Sequence, residues 1–510
     1  MTEQSNNKTI AKNTLFLYFR MMFTMVVSLY TSRVVLDVLG VDDYGIYQTV
    51  GGVVTFLSFI NGALSTGSSR YLTFELGTGN FVKLKRTFST VLTVHILLAL
   101  IVVVLAETGG LWFVNNKLVI APERIDVAVI AYHLSILTAF INITQVPYNS
   151  SIISHERMGI YAYMSILEAS LKLGVVYLLT IGGIDKLVLY AMLLCILQVS
   201  IALFYRWYCI RHFDESHYKF LWDKAIVKDI LSYSGWNLFS NTSIALNTQG
   251  TIVMINMFFA PAVVSARAIA IQVNLAANQF IQNFRTAANP QIVKRYASGD
   301  SEGSKSLLLT STTYSYYMML MLSLPICLVA DELLYIWLKE VPEYTTRFLQ
   351  LAVVTSLFSV FDVSFYTALY AKGRIKENAL LSPMLGFIQF PIVYLMFKSG
   401  LSPLCVGWSA LVVSMLLGLV IKPILIVKIV DYKWSEIIKV YKVCLKVSFI
   451  SSLIPVTLYI YSDILFSNDL VKFCVLTCVS VLSVLATVWL IGLDKAMRTR
   501  VLGFVKSKVK

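Results

Sequence analysis

Long apolar runs alternate with short polar breaks along almost the whole chain. A helix that crosses a bilayer needs about 20 mostly apolar residues, and runs of that length recur often enough to predict about 14 spans. The first six cover residues 14–39, 44–68, 88–106, 125–147, 160–181 and 187–208. The next six cover 230–259, 262–288, 307–330, 346–370, 379–397 and 405–427, and a last pair covers 443–461 and 471–491. Spans seven and eight are the least apolar. The first run is too long for a signal-peptide core and is expected to stay as a helix. The class predicted is an all-α integral membrane protein.

Composition narrows the picture in the same direction. Of 510 residues, 57% are apolar and 14% are charged, against about 25% charged in a soluble domain. The net charge of +14 does not point to nucleic acid, because the basic residues are scattered in the breaks between spans. Their distribution fixes an orientation instead. With the N-terminus in the cytoplasm, the inner segments collect Lys83, Lys85 and Arg86, then Arg206 to Lys228, then Lys294 and Arg295, then Lys372 to Lys376, then Lys433 to Lys442, and the basic tail. The reverse orientation breaks the positive-inside rule in nearly every loop. Both termini are therefore expected inside.

The outer segments are short or acidic, with Asp42 and Asp43 in the first and Asp331, Glu332, Glu340 and Glu343 in another. None is long enough for a separate catalytic domain. The seven cysteines form no CxxC pair, and neither a metal site nor a disulfide framework is indicated. No Walker motif, glycine-rich phosphate loop or zinc signature is present. The chain is thus read as a non-enzymatic transporter with no cofactor, driven by an ion gradient of protons or sodium.

The two halves resemble each other. Pro122-Glu123 precedes span four, and Pro342-Glu343 precedes span ten. Val176-Tyr177-Leu178 in span five matches Val393-Tyr394-Leu395 in span eleven, at nearly the same offset. A polar Gly-containing turn follows both span two and span eight. The expected layout is a six-helix lobe over residues 1–215, a second over 216–430, and a helix pair with a basic tail over 431–510. Transporters built of two such repeats bind substrate between them.

Polar residues inside the spans are costly and mark function by default. On span eight, Arg267, Asn274, Asn278 and Arg285 fall within roughly 20° of one line at about 100° per residue. They form one cationic stripe, read as the wall of a hydrated cavity. The competing reading is that both arginines snorkel to opposite headgroup layers. Asn237, Asn241 and Thr248 share a face of span seven, and Arg20 lies on a similar face of span one with Thr24 and Thr31. Asp362 shares a face with Thr355 and Tyr366, and is a candidate ion relay. Arg33 with Asp37, and Glu168 with Lys172, stand one turn apart, where ion pairs form. Arg70 and Lys422 are expected to snorkel. His133 and His155 are given no site. Surplus intramembrane cations suit an anionic headgroup, and Arg suits phosphate in particular.

The stretch from Arg33 through Leu39-Gly40 to Tyr44-Gly45-Ile46-Tyr47 resembles the first-loop pattern of polysaccharide flippases. Asn289-Pro290 to Lys294-Arg295-Tyr296 is similar to the segment that follows span eight in that family. The family is that of the Wzx-like O-antigen flippases, within the multidrug/oligosaccharidyl-lipid/polysaccharide (MOP) exporter superfamily. The resemblance implies a V-shaped bundle with a central cationic cavity and alternating access. It implies transfer of an undecaprenyl-diphosphate-linked O-antigen or capsule repeat unit from the cytoplasmic to the periplasmic leaflet of the bacterial inner membrane. Arg33, Arg267 and Arg285, with Arg20 and the four asparagines, are the matching substrate candidates, while Asp362, Glu168 and Lys172 are the coupling candidates. Asp37, Asp42 and Asp43 add more acid to the first loop than the family leads one to expect. A monomer acting with polysaccharide polymerase machinery is expected. A lipid II flippase or a MATE-type exporter is the alternative.

Overall fold

The computed structural model describes residues 3–155, 157–179, 183–338, 340–374, 376–493 and 498–499. Among the described residues every regular element is helical. The chain divides into two compact units, one of Met1–Ala268 with Gly386–Pro403, the other of Ile269–Leu385 with Leu404–Lys510.

The first unit holds α1 (Glu3–Leu39), α2 (Val41–Leu57), α3 (Phe59–Thr78), α4 (Phe81–Lys117), α5 (Pro122–Ser154), α6 (Met158–Leu178) and α7 (Lys186–His212). It also holds α8 (224–258). The unit boundary falls inside α9 (Pro261–Ala297). The second unit continues with α10 (Ser301–Leu328), the short α11 (Ala330–Trp337) and α12 (Thr345–Ala371). The next helix, α13 (Lys376–Lys398), again crosses the boundary, so its second half belongs to the first unit. The second unit ends with α14 (Cys405–Val430), α15 (Trp434–Ile460) and α16 (Asp469–Gly492).

Among the described residues the apolar runs lie mostly on helices, for a physical reason. A chain in hydrocarbon must satisfy its backbone N–H and C=O groups within itself. The polar breaks supply caps. Asn80 accepts from the Lys83 amide, Asp185 from those of Leu187 and Val188, Asp223 from those of Ala225 and Ile226, and Asp300 from that of Gly303. Nine helices among the described residues are long and apolar enough to cross a membrane. The count is ten if α10 and α11, bent by 80° at their junction, make one span. Predicted span two differs from expectation, since Ser58 breaks it into α2 and α3. Predicted span seven carries a π-helical turn at Leu246–Gly250, and others occur at Ala106–Gly110 in α4 and Leu416–Ile421 in α14. Such turns add a residue to the helical register and redirect the side chains beyond them.

Each unit has its own core. In the first, Leu64, Val91, Leu98 and Ile143 pack where α3, α4 and α5 meet. In the second, Tyr316, Phe361, Phe365 and Tyr441 stack beside Cys444 and Ile426. The helix pair α15 and α16 joins this core through Val447 and Val484. Its outer faces keep large apolar side chains exposed, among them Phe449, Ile454 and Leu490. In water that would be a liability; in a bilayer it is the lipid face of a multi-pass membrane protein.

Candidate functional site

The polar positions of α9 and α12 meet in the second unit. Asn278 Nδ2 donates to Ser356 Oγ at 2.9 Å, and Ser356 Oγ donates to Asn274 Oδ1 at 2.9 Å. Seven residues further along α9, Arg285 Nη2 donates to Ser364 Oγ at 3.2 Å. At the end of the row, Thr367 Oγ1 donates to Asn289 Oδ1 at 3.4 Å. The two central asparagines are thereby committed to bridging helices, the role of polar glue within membranes. Arg285 is only 6% exposed, so it does not snorkel. A cavity of about 230 Å³ opens beside it, lined by Asn278, Gln282, Arg285 and Ser359. Among the described residues no carboxylate forms an ion pair with Arg285. Arg267, the other arginine of the stripe, is also buried, but in the first unit.

Sequence reasoning missed the partner of Asp362. Lys422, expected to snorkel, is 2% exposed, and its ammonium lies 2.9 Å from Asp362 Oδ1. It also donates to Asn378 Oδ1 and sits 5.5 Å from the centre of the Tyr366 ring. The snorkelling expectation is therefore corrected. The π-helical turn just before Lys422 helps to explain the error, since helical periodicity assumed through α14 puts the side chain on another face. A wider cavity of about 680 Å³ is lined by Asn289, Lys294, Tyr366 and Tyr370. It includes two positions of the segment that resembles the flippase pattern.

The first unit has a different chemistry. Asn241 and Thr248 line a cavity of about 480 Å³ with Asn61, Asn142 and Gln249, and among the described residues no charged side chain faces it. Glu168 and Lys172 form their expected pair at 2.7 Å and stay partly exposed. They belong to the first unit and Asp362 to the second, so these coupling candidates are not gathered into one unit. Arg33 is partly buried on α1, and Asp37 one turn later is exposed. The side chains of Arg20, Asn237 and Arg70 lie outside the described residues.

The resemblance around Arg33 to Tyr47 acquires a packing explanation. A Cβ on Gly45 would stand 2.0 Å from the Pro261 carbonyl oxygen, so glycine lets α2 meet the start of α9. Beside it, Ser265 Oγ donates to the Val41 carbonyl at 2.6 Å. Gly40 turns the chain between α1 and α2 at φ 82, where glycine alone is unstrained.

A cluster at the starts of α2, α5 and α7 was likewise not foreseen. Arg124 pairs with both Asp43 and Asp185. Its Nε donates to Asp43 Oδ1 at 2.9 Å, and Lys186 donates to the Val38 carbonyl at 3.1 Å. Burial pushes the Asp43 carboxyl above its ordinary value in spite of Arg124. Burial also acts to raise Asp185, but Arg124 and two backbone amides outweigh it and hold that carboxyl below its ordinary value. His133 pairs with Glu107 at 3.0 Å and His155 with Glu215 at 2.8 Å. Among the described residues no group of three or more His, Cys, Asp or Glu could hold a metal ion.

No protein-family profile matches the chain, and no curated protein matches it in sequence. Its fold does match solved structures. The lipid II flippase MurJ in an inward closed conformation aligns with a TM-score of 0.70 at 12% identity, over 93% of this chain and 97% of that one. An inward-facing multidrug resistance MATE family transporter aligns with a TM-score of 0.66 at 14% identity, over 79% of this chain and 95% of that one. The chain has the fold of MOP-superfamily transporters. A third member, from Pyrococcus furiosus, aligns with a TM-score of 0.57 at 16% identity over 80% of this chain and 93% of its own. That structure is described as having a binding pocket of reverse polarity that suggests a different function. At these identities the fold is shared and cargo is not inherited.

Proposed function

We propose that this chain is a flippase for an undecaprenyl-diphosphate-linked oligosaccharide, an O-antigen or capsule repeat unit, carried from the cytoplasmic to the periplasmic leaflet. The observation that carries the reading is Arg285, a guanidinium 6% exposed, beside a cavity and hydrogen-bonded to a neutral serine rather than paired with a carboxylate. A buried cation with no carboxylate bonded to it, on which Asp362 acts only at longer range, favours an incoming anion, and the planar fork of arginine fits two oxygens of a diphosphate. In this reading Arg267, Arg33 and Arg20 provide further cationic contacts, and Asn237, Asn241, Asn274 and Asn278 shape the path or fix the helices.

The proposed arrangement has about 14 spans, as six, six and two, with both termini in the cytoplasm and alternating access between repeats. Two sets of cross-helix hydrogen bonds support the repeat. In the first unit Ser69 meets Ser150 and Thr73 meets Ser154, each 81 residues apart. In the second, Asn278 meets Ser356, 78 residues apart, and Arg285 meets Ser364, 79 apart. The Asp362–Lys422 pair is the coupling element of the proposal, with protons or sodium as the driving ion, and Glu168 with Lys172 as a secondary candidate. The protein acts as a monomer, hands its cargo to polymerase machinery and needs no cofactor.

A lipid II flippase is the second reading, because the fold of MurJ spans 93% of this chain and lipid-linked diphosphate chemistry would suit the same arginine. A MATE-type exporter of cations is less well supported, since a cationic pocket repels such cargo. Complementation separates these. The chain is expressed in one bacterium that lacks its O-antigen flippase, supplied with a matching sugar pathway, and in another depleted of its lipid II flippase. Surface polysaccharide restored only in the first supports the proposal. Growth rescued only in the second replaces it with the lipid II reading.

A further inference from the structure

The 480 Å³ cavity of the first unit is not explained by a diphosphate. Its wall comes from α2, α3, α5, α7 and α8, and among the described residues it is polar but uncharged. The hydroxyls have their hydrogens turned back into their own helices. Thr55 donates to the Gly51 carbonyl at 2.8 Å, Thr138 to Leu134 at 2.9 Å, and Thr248 to Ile244 at 2.8 Å. Ser58 and Ser135 do the same, to Val54 at 2.9 Å and to Ala131 at 2.8 Å. A hydroxyl so committed offers only lone pairs to the cavity. Asn61 also lines the cavity, and its Oδ1 is buried and without a hydrogen-bond partner among the described residues. An orphaned buried acceptor is costly until something donates to it.

A phosphate, itself all acceptors, would meet mostly hydroxyl acceptors here and, among the described residues, no cation. A ligand rich in O–H groups fits. Asn142, whose oxygen accepts from Gln198 Nε2 at 2.6 Å, keeps amide hydrogens to donate in return. The remaining wall is mostly aliphatic, with the Tyr47 ring and the amides of Asn241 and Gln249. That combination of hydrogen-bonding edge and apolar face is the surface of a sugar ring, and the volume lies within the range of small-molecule sites.

We propose that this cavity binds an uncharged, hydroxyl-rich part of the cargo glycan, apart from the cationic contacts of its diphosphate. The inference rests on the flippase reading and adds a glycan subsite to it. Gly51 provides a way to test it. It lines the cavity, and a Cβ there would meet nothing within 4 Å, so Gly51→Leu puts bulk into the cavity with no clash at its Cβ.

Wild type, Gly51→Leu, Asn61→Ala and Arg285→Ala are placed in nanodiscs in equal amounts. Each is titrated with undecaprenyl diphosphate bearing an N-acetylhexosamine-initiated oligosaccharide, and with bare undecaprenyl diphosphate. Wild type is expected to bind the glycan-bearing lipid about tenfold more tightly than the bare one. Gly51→Leu should abolish that preference, and Asn61→Ala reduce it, with affinity for the bare lipid unchanged. Arg285→Ala should weaken both lipids alike. A preference that survives in Gly51→Leu overturns the inference and leaves the flippase reading standing. A Gly51→Leu chain that loses only a sodium dependence makes the cavity a cation site and also overturns it. A wild type that binds neither lipid overturns the cargo reading and this subsite with it.

Discussion

The ammonium of Lys422 stands 2.9 Å from Asp362 Oδ1, in a pair whose lysine is 2% exposed. Neither charge is tolerable alone at that depth, because desolvation exceeds what an unpartnered ion recovers. Removing one partner of a buried pair costs about 3–5 kcal/mol, while replacing both by apolar groups is nearly neutral. Lys422→Met and Asp362→Leu are each expected to lower thermal stability and membrane level sharply. The double substitution should restore most of both, as read by fluorescence-detected melting in detergent. If the double variant is as unstable as the worse single one, the two side chains are not coupled.

The same pair gives the coupling prediction. The double variant, folded and inserted, should lose gradient-driven transport in proteoliposomes and retain slow downhill equilibration of lipid-linked glycan between leaflets. Imposing a pH gradient and a sodium gradient separately identifies the ion. Undiminished stimulation by both gradients in the double variant would remove Asp362 and Lys422 from the coupling mechanism.

Much of this was legible in the sequence. Among the described residues the predicted apolar runs fall largely on helix, with breaks at Ser58 and Val329, and Glu168–Lys172 forms as its spacing requires, because hydrophobic length and one-turn contacts are properties of a single segment. Lys422 was visible as an intramembrane lysine, but its partner was not. Asp362 lies on another helix, and which faces meet depends on crossing geometry and on a π-helical turn that periodicity does not reveal. Arg124 with Asp43 and Asp185 was hidden for the same reason, as its three residues come from three separate breaks. The uncharged cavity was half seen, through Asn241 and Thr248. Asn61 and Asn142 come from helices whose relation to α8 only the fold supplies.

Gly45 should be the most sterically intolerant position of the first loop. Gly45→Val drives a side chain into the Pro261 carbonyl, which a single Cβ would already approach to 2.0 Å. Overpacking of this kind costs about 1–3 kcal/mol or more. Gly77→Ala, where a Cβ meets nothing within 4 Å, is the control and should leave the melting temperature unchanged or raised. Equal melting of the two variants would contradict the close approach of α2 and α9.

The Arg124 cluster predicts a signed acid response. Asp185 is held below its ordinary value of 3.8, so its contribution is complete above that pH and is lost as pH falls through the lower folded value. Asp43 is shifted the other way, so it takes up its proton first on acidification and leaves Arg124 to Asp185. The stability gap between wild type and Asp185→Asn should be constant from neutral pH down to about 4 and close below it. A gap that closes between pH 7 and 5 would mean that Asp185 does not hold a depressed carboxyl.

The central claim concerns Arg285 as the contact for an anionic lipid head. The most direct measurement is the rate at which undecaprenyl-diphosphate-linked oligosaccharide crosses proteoliposome bilayers containing wild type or Arg285→Ala at equal density. The account predicts that wild type accelerates crossing and that Arg285→Ala loses at least about tenfold of that acceleration, a difference of about 1.4 kcal/mol, with melting little changed because its hydrogen bond among the described residues goes to the neutral Ser364. Equal rates for the two chains, or no acceleration by wild type, would contradict it.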